Sequence, residues 1–195
     1  MRRRVAVLAS GRGSNLVALH RACAAADYPA KIVGVVSDRA GAGALGYASE
    51  QGLPSAAIER KPGEPKAAHE ARIGEALSEW QAEIVCLAGY MRVLSAEFVG
   101  RWRGRMLNIH PSLLPAFPGL DTHRRALERG CRVHGCTVHF VTAGVDEGPI
   151  VDQAWLAVGD EDAEALAGRV LELEHELYPR ALAAVARDER RFTAG

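Results

Sequence analysis

The sequence predicts an α/β fold: a single Rossmann-like domain on a mostly parallel seven-stranded sheet, with an antiparallel C-terminal strand and helices on both faces. Three observations predict it. Short apolar runs, roughly four to eight residues each, alternate with longer stretches of helical periodicity along the chain. The first five runs are apolar on both sides, as strands covered on both faces must be. The first run leads through a glycine-rich turn, Ser10-Gly-Arg-Gly-Ser-Asn15, straight into a helix, as in the opening unit of a doubly wound sheet.

Strands are expected at Arg4 to Ala9, Lys31 to Ser37, Ser55 to Ile58, Ile84 to Ala88, Arg105 to Ile109, Arg132 to Thr142 and Pro149 to Val158. In the sixth, Cys136, Val138 and Phe140 alternate with Thr137 and His139. It therefore reads as a longer strand, paired antiparallel with the seventh through the bend at Ala143-Gly144. Helical patterns fill Leu16 to Ala26, Ala44 to Gln51, Lys66 to Trp80, Ala96 to Arg101, Thr122 to Arg129 and Asp162 to Arg187. The last carries Leu166, Val170, Leu173 and Leu177 on one face and then meets Pro179, whose ring does not fit a regular helix interior. A kink or a break is expected there. No repeat or linker interrupts the pattern, so one domain is expected over residues 1–195. Lys61-Pro-Gly-Glu-Pro65 reads as a mobile surface loop, a candidate flap.

Composition narrows the function classes. Of the 195 residues, 48% are hydrophobic and 25% charged, ordinary values for a soluble globular protein. Twenty-four basic residues balance 24 acidic ones, so no global field draws the chain onto nucleic acid or an anionic membrane. No stretch approaches the roughly 18 apolar residues of a membrane span, and Met1 to Arg4 leads into a strand rather than a signal peptide. A cytoplasmic location is expected. The four cysteines are too sparse for a disulfide scaffold, and Cys131 and Cys136 lack a second pair to close a zinc site. His134 and His139, five apart on a strand, point to opposite faces, and no metal is expected.

Five segments carry candidate chemistry. In the first turn, Gly11 and Gly13 permit a tight bend, and the following helix start offers free amides beside Ser14 and Asn15. It reads as an anion cradle or as a plain turn with Ser14 as helix cap. A dinucleotide fingerprint needs a third glycine where Leu16 stands, although Asp38 sits where a ribose-binding acid belongs in such a domain. Asn108 and His110, two apart at the end of the fifth strand, project to the same side. An amide donor beside an imidazole can stabilise an oxyanion and move a proton, as acyl transfer requires. Asp146, in a Gly/Pro-bounded loop, forms either a local turn or a carboxylate partner that favours a charged His110. Met91, Val93 and Leu94 suit a flat heteroaromatic ring or the core. Glu174, beside the apolar stripe of the last helix, reads on helix geometry as a solvated boundary residue.

Taken together, the segments SGRGSN, LAGYMRVLS, NIHPSLLPAFPGLDTH, VHFVTAGVDEGPI and RVLELEHELYP, in this order and over nearly the whole chain, resemble the glycinamide ribonucleotide formyltransferases of purine biosynthesis. The resemblance implies an N-terminal half that holds the nucleotide phosphate and a C-terminal half that holds the folate. It implies a catalytic set of Asn108, His110 and Asp146 and a phosphate loop of Gly13, Ser14 and Asn15. Glu174 matches the acid set against the ribose hydroxyls. The implied folate pocket comprises Met91, Arg92, Val93 and Leu94, together with Asn108 and the loop Thr142, Ala143, Gly144, Val145 and Asp146. Lys66 matches a ligand-contacting basic residue ahead of the third helix. The implied substrates are glycinamide ribonucleotide and 10-formyltetrahydrofolate, with no nucleic-acid or membrane partner. Monomer and homodimer remain open, because no self-complementary apolar strip stands out.

Three other readings compete. Methionyl-tRNA formyltransferase is expected to carry a further RNA-binding domain and a basic surface. Formyltetrahydrofolate hydrolase is expected to carry an N-terminal regulatory domain, whereas only three residues precede Arg4. A non-catalytic nucleotide-binding module accounts for the first turn and Asp38 but leaves Asn108, His110 and Asp146 unexplained.

Overall fold

Strands and helices alternate through residues 1–192, which the computed structural model describes. Residues 193–195 of the expected domain lie outside the described residues. In chain order the elements are β1 (Arg3–Leu8), α1 (Ser14–Cys23), β2 (Ala30–Ser37), α2 (Gly43–Glu50), β3 (Ser55–Ala57), α3 (Lys66–Glu79), β4 (Ile84–Leu87), α4 (Ala96–Arg101), β5 (Met106–His110), α5 (Thr122–Glu128), β6 (Val133–Phe140), β7 (Ile150–Ala157) and α6 (Ala163–Ala186).

One sheet runs in the order β3-β2-β1-β4-β5-β6-β7. Strands β1 to β5 pair in parallel, and β6 lies antiparallel to both β5 and β7. The expected antiparallel pairing is therefore present, with β6 as the reversed strand. Because β6 is long and shared, it places its own side chains opposite the last residues of β5.

Alternate residues of the central strands feed two apolar cores. Val5, Val7, Cys86, Leu107 and Ile109 pack with Leu16, Leu19, Leu166, Val170 and Leu177 of α1 and α6. Ala6, Leu8, Val85 and Met106 pack with Ile73, Leu77, Phe98 and Val99 of α3 and α4. The near-continuous apolar runs follow from this double coverage. The four cysteines are free. Burial pushes the Cys23 thiol up to about 11 and those of Cys86 and Cys136 to about 12, which marks these three as inert core residues.

Two local features refine the expectations. Helix α6 is not broken at Pro179; it runs through it as one element. Packing on both flanks holds it: Leu177, Tyr178, Ala181 and Leu182 are buried, and the Tyr178 hydroxyl, 3.0 Å from the Leu87 carbonyl and 3.2 Å from that of Leu107, pins the helix across β4 and β5. The Lys61 to Pro65 segment, expected as a mobile surface loop, makes contacts with α3. Glu64 accepts from Lys61 N at 2.9 Å and from Arg72 at 2.8 and 3.0 Å, so the loop is tied to α3.

Strand order reverses between β1 and β4, and in open α/β sheets ligands bind outside the carboxyl ends of strands at such a switch point. The turn after β1, the loop after β4 and the end of β5 all meet there.

Candidate active site

The last residues of β5 set the centre. Asn108 and His110 sit opposite His139 and Thr137 in the antiparallel register with β6. The amide of Asn108 reaches His139 Nε2 at 3.1 Å, while Nδ1 of the same ring lies 2.9 Å from the Phe140 carbonyl. A carbonyl only accepts, so Nδ1 carries the hydrogen and Nε2 accepts from Asn108 Nδ2. Burial holds His139 below the usual histidine pKa and keeps this neutral form. One N–H of the Asn108 amide is thereby fixed on His139, and the other is left to donate elsewhere.

His110 is 6% exposed. Its Nε2 lies 3.0 Å from the Phe117 carbonyl, and its Nδ1 lies 3.4 Å from Asp146 Oδ2. Asp146 comes from the loop between β6 and β7. Its backbone is left-handed, with φ of 57°, a conformation that aspartate tolerates better than most residues. The carboxylate makes no mere local turn: Oδ2 also accepts from Gly119 N at 2.9 Å, and Oδ1 stands 3.7 Å from His139 Nε2. One carboxylate thus faces two imidazoles and a third loop. Gly148 lets the Asp146 loop return to β6, since a Cβ there would stand 1.7 Å from the Phe140 carbonyl oxygen.

Thr137 fixes the loop after His110. Its hydroxyl donates to Ser112 O at 2.7 Å and accepts from Leu114 N at 3.0 Å. The Leu114-Pro115 bond in this loop is cis. A cavity of about 400 Å³ opens beside Phe117, lined by Arg125, Glu128 and Arg129, but none of Asn108, His110 and Asp146 lines it.

The turn after β1 forms a second cluster. Gly13, rather than Ser14, occupies the cap position of α1, with φ of 82°. A Cβ there would meet Ala44 Cα at 2.8 Å, so close packing as well as the backbone angle demands glycine. The first helical bond runs from Val17 N to Gly13 O, leaving the amides of Ser14, Asn15 and Leu16 as donors without a partner among the described residues, at the positive end of the helix dipole. Glu174 is 7% exposed, not a solvated boundary residue, and its Oε2 accepts from Asn15 Nδ2 at 2.7 Å. Burial raises its carboxyl to about 7, against the opposing pull of the Asn15 bond.

The sequence profile of the formyl transferase family matches residues 3–182. The chain belongs to the formyl transferase family.

Within this family it is 42% identical over 178 residues to a phosphoribosylglycinamide formyltransferase of Haemophilus influenzae, covering 91% of this chain and 84% of that protein. It is also 46% identical over 185 residues to the trifunctional purine biosynthetic protein adenosine-3 of Drosophila melanogaster, covering 93% of this chain. There it spans only 14% of the relative's length. Among solved structures, phosphoribosylglycinamide formyltransferase from Brucella melitensis superposes with a TM-score of 0.92 at 52% identity, covering 95% of this chain and 96% of that one. A formyltetrahydrofolate deformylase from Pseudomonas syringae superposes at 0.89 with 26% identity, covering 96% of this chain and 62% of that one.

The family's fold brings the sequence-predicted residues into three groups. Asn108, His110 and Asp146 converge, and the sequence reading missed His139, which links the first to the last. Gly13, Ser14, Asn15 and Glu174 form the second group. The third is the segment after β4: Met91 and Val93 are 63% and 62% exposed, whereas Leu94 is buried against the α3 and α4 core. The Arg92 side chain is paired with Asp38 at 2.7 Å, so Asp38 is not an open ribose-binding acid. Thr142 and Ala143 open the Asp146 loop, where Val145 is 53% exposed. Lys66 is the half-buried first residue of α3.

Proposed function

We propose that the chain transfers the formyl group of 10-formyltetrahydrofolate to the amine of 5′-phosphoribosylglycinamide, as a phosphoribosylglycinamide formyltransferase of purine biosynthesis in the cytoplasm. The observation that carries this reading is the convergence of the Asn108 amide, the His110 ring and the Asp146 carboxylate at the carboxyl end of β5.

In this reading the N-terminal half holds the ribonucleotide. The free amides of Ser14, Asn15 and Leu16 receive its phosphate, and the Glu174 carboxylate accepts from the ribose hydroxyls. The C-terminal half holds the folate, with the exposed apolar side chains of Met91, Val93 and Val145 against its ring and Lys66 near its acidic end. Two small molecules are then held with their reacting atoms in one place, which replaces a bimolecular collision by a positioned attack.

The amine attacks the formyl carbon, a C–N bond forms, and the carbonyl electrons move onto oxygen. Asn108 donates its free N–H to that oxygen, and His110 donates from the other side once its Nε2–H turns from the Phe117 carbonyl to the substrate. The bond from carbon to N10 of the folate then breaks as the proton released by the amine is delivered to N10. Asp146 compensates positive charge on His110 while the proton is in transit and orders water for the relay. The scheme needs no metal and no covalent enzyme intermediate.

The test mixes the chain with both substrates and follows deformylated folate by absorbance. Turnover that requires the ribonucleotide supports the transferase. Product without the ribonucleotide supports hydrolysis, the reading favoured by the likeness to the deformylase. No product under either condition overturns both.

A further inference from the structure

A binding strip serves only if the backbone beneath it is held, and the Met91 to Leu94 segment has tethers from three directions. Ser10 Oγ accepts from Met91 N at 2.9 Å, and Ser10 N donates to Gly89 O at 3.1 Å. At the far end Glu70 accepts from Ser95 N at 2.7 Å and also from the Ser95 hydroxyl. Between them, Arg92 Nε donates to Asp38 Oδ2 at 2.7 Å. Asp38 ends its run just after β2, and its side chain is only 4% exposed. The other oxygen, Oδ1, is buried with no partner among the described residues. A carboxylate at that depth is costly unless a cation compensates it, so this buried acid and the exposed strip depend on one guanidinium.

We infer that Asp38 is a positioning residue for the folate: by fixing Arg92 it sets the Met91 to Leu94 backbone against the end of β2. This rests on the assignment of that strip to the folate. The effect is selective, because the phosphate turn has its own supports, Gly13 packed on Ala44 and Asn15 bonded to Glu174. Loss of the Asp38 carboxylate therefore loosens the folate side and leaves the ribonucleotide side as it was.

The experiment measures KM for each substrate, and the affinity for tetrahydrofolate by calorimetry, on the full chain. Asp38→Ala is expected to raise the KM for 10-formyltetrahydrofolate about tenfold while that for the ribonucleotide stays within about twofold. Asp38→Asn, which keeps an acceptor oxygen but not the charge, is expected to raise the folate KM about threefold. Combining Asp38→Ala with Arg92→Ala should add nothing to the larger single effect, since one contact is lost once. An unchanged folate KM, or equal rises for both substrates, overturns the inference. Should Asp38→Ala fail to fold, the same ratio is read from Asp38→Asn. If the wild-type chain forms no product, the assignment of function falls, and calorimetry still decides on Asp38: tetrahydrofolate binding that weakens in Asp38→Asn supports it, and equal or undetectable binding sinks it.

Discussion

Asn108 and His139 are cross-strand neighbours whose side chains bond at 3.1 Å, and this pair orients the Asn108 amide. The ring of His139 is held by the Phe140 carbonyl on one side, so its other nitrogen presents a lone pair in a fixed direction. An asparagine on β5 without that partner is free to rotate about χ2, and its N–H points at the oxyanion only part of the time. Preorganised donors, not merely available ones, lower the barrier.

Removing the donor itself should show the largest effect. One well-placed oxyanion donor contributes on the order of 2.7 to 4 kcal/mol in comparable sites. Asn108→Ala is expected to lower kcat about a hundredfold or more, with a melting temperature close to wild type. Near-normal turnover removes Asn108 from the scheme.

His139→Leu tests orientation separately. The substitution leaves Asn108 in place and removes only its acceptor, so kcat is expected to fall about tenfold, less than for Asn108→Ala. In the double variant the loss should equal that of Asn108→Ala alone, because an absent amide cannot be misoriented. Multiplying effects in the double variant would show that His139 acts by another route.

How much of this was legible in the sequence follows from where each contact comes from. Asn108 and His110 share one strand, and the two-residue repeat alone put them on the same side. The first turn was legible for the same reason, since Gly13 and the helix start are contiguous. His139 was visible as a polar residue alternating with Cys136, Val138 and Phe140, but its partner depends on the β5 to β6 register, which no local pattern encodes. Glu174 failed on helix geometry alone because the surface that buries it belongs to α1, 159 residues away from it at Asn15. Pro179 predicts a kink or a break, and tertiary packing around Tyr178 keeps the helix unbroken through it.

The turn after β1 makes its own prediction. Gly13→Ala places a Cβ within 2.8 Å of Ala44 Cα and forces an L residue into a φ of 82°. Both effects push the turn away from α2 and misalign the Ser14 and Asn15 amides. The KM for the ribonucleotide is expected to rise at least about tenfold, and the melting temperature to drop by several degrees, as for a strain of roughly 1 to 3 kcal/mol. Equal affinity for the ribonucleotide would remove the turn from substrate binding.

His134 predicts acid sensitivity. Burial, reinforced by the nearby His123, lowers its pKa to about 4, from about 6.5 in an unfolded chain. The unfolded state therefore binds the proton first, and the stability this group contributes is present above pH 6.5 and lost as pH falls toward 4. His134→Phe, which cannot take up that proton, should flatten the acid limb of a plot of melting temperature against pH. An unchanged limb would assign the acid loss to other groups.

Glu174 predicts a slope of the opposite sign. Its carboxyl is raised by burial to about 7, from 4.5. Between those values the folded chain holds the proton more tightly than the unfolded one, so stability falls as pH rises across that window. Below pH 4.5 the contribution is fully present, and above pH 7 it is lost. A shift of this size corresponds to about 3 kcal/mol. Glu174→Gln keeps the volume and an acceptor for Asn15 but has no proton to lose. It should therefore match wild type near pH 4 and exceed it by about 3 kcal/mol near pH 8 in urea unfolding. The gain in stability should come with a loss in function, because a neutral amide is a weaker acceptor for ribose hydroxyls than a carboxylate and the ribonucleotide KM should rise. A variant no more stable than wild type at pH 8 would show that the buried carboxylate is better compensated than its surroundings indicate. A variant more stable but with an unchanged KM would leave the burial argument standing and take Glu174 out of substrate binding.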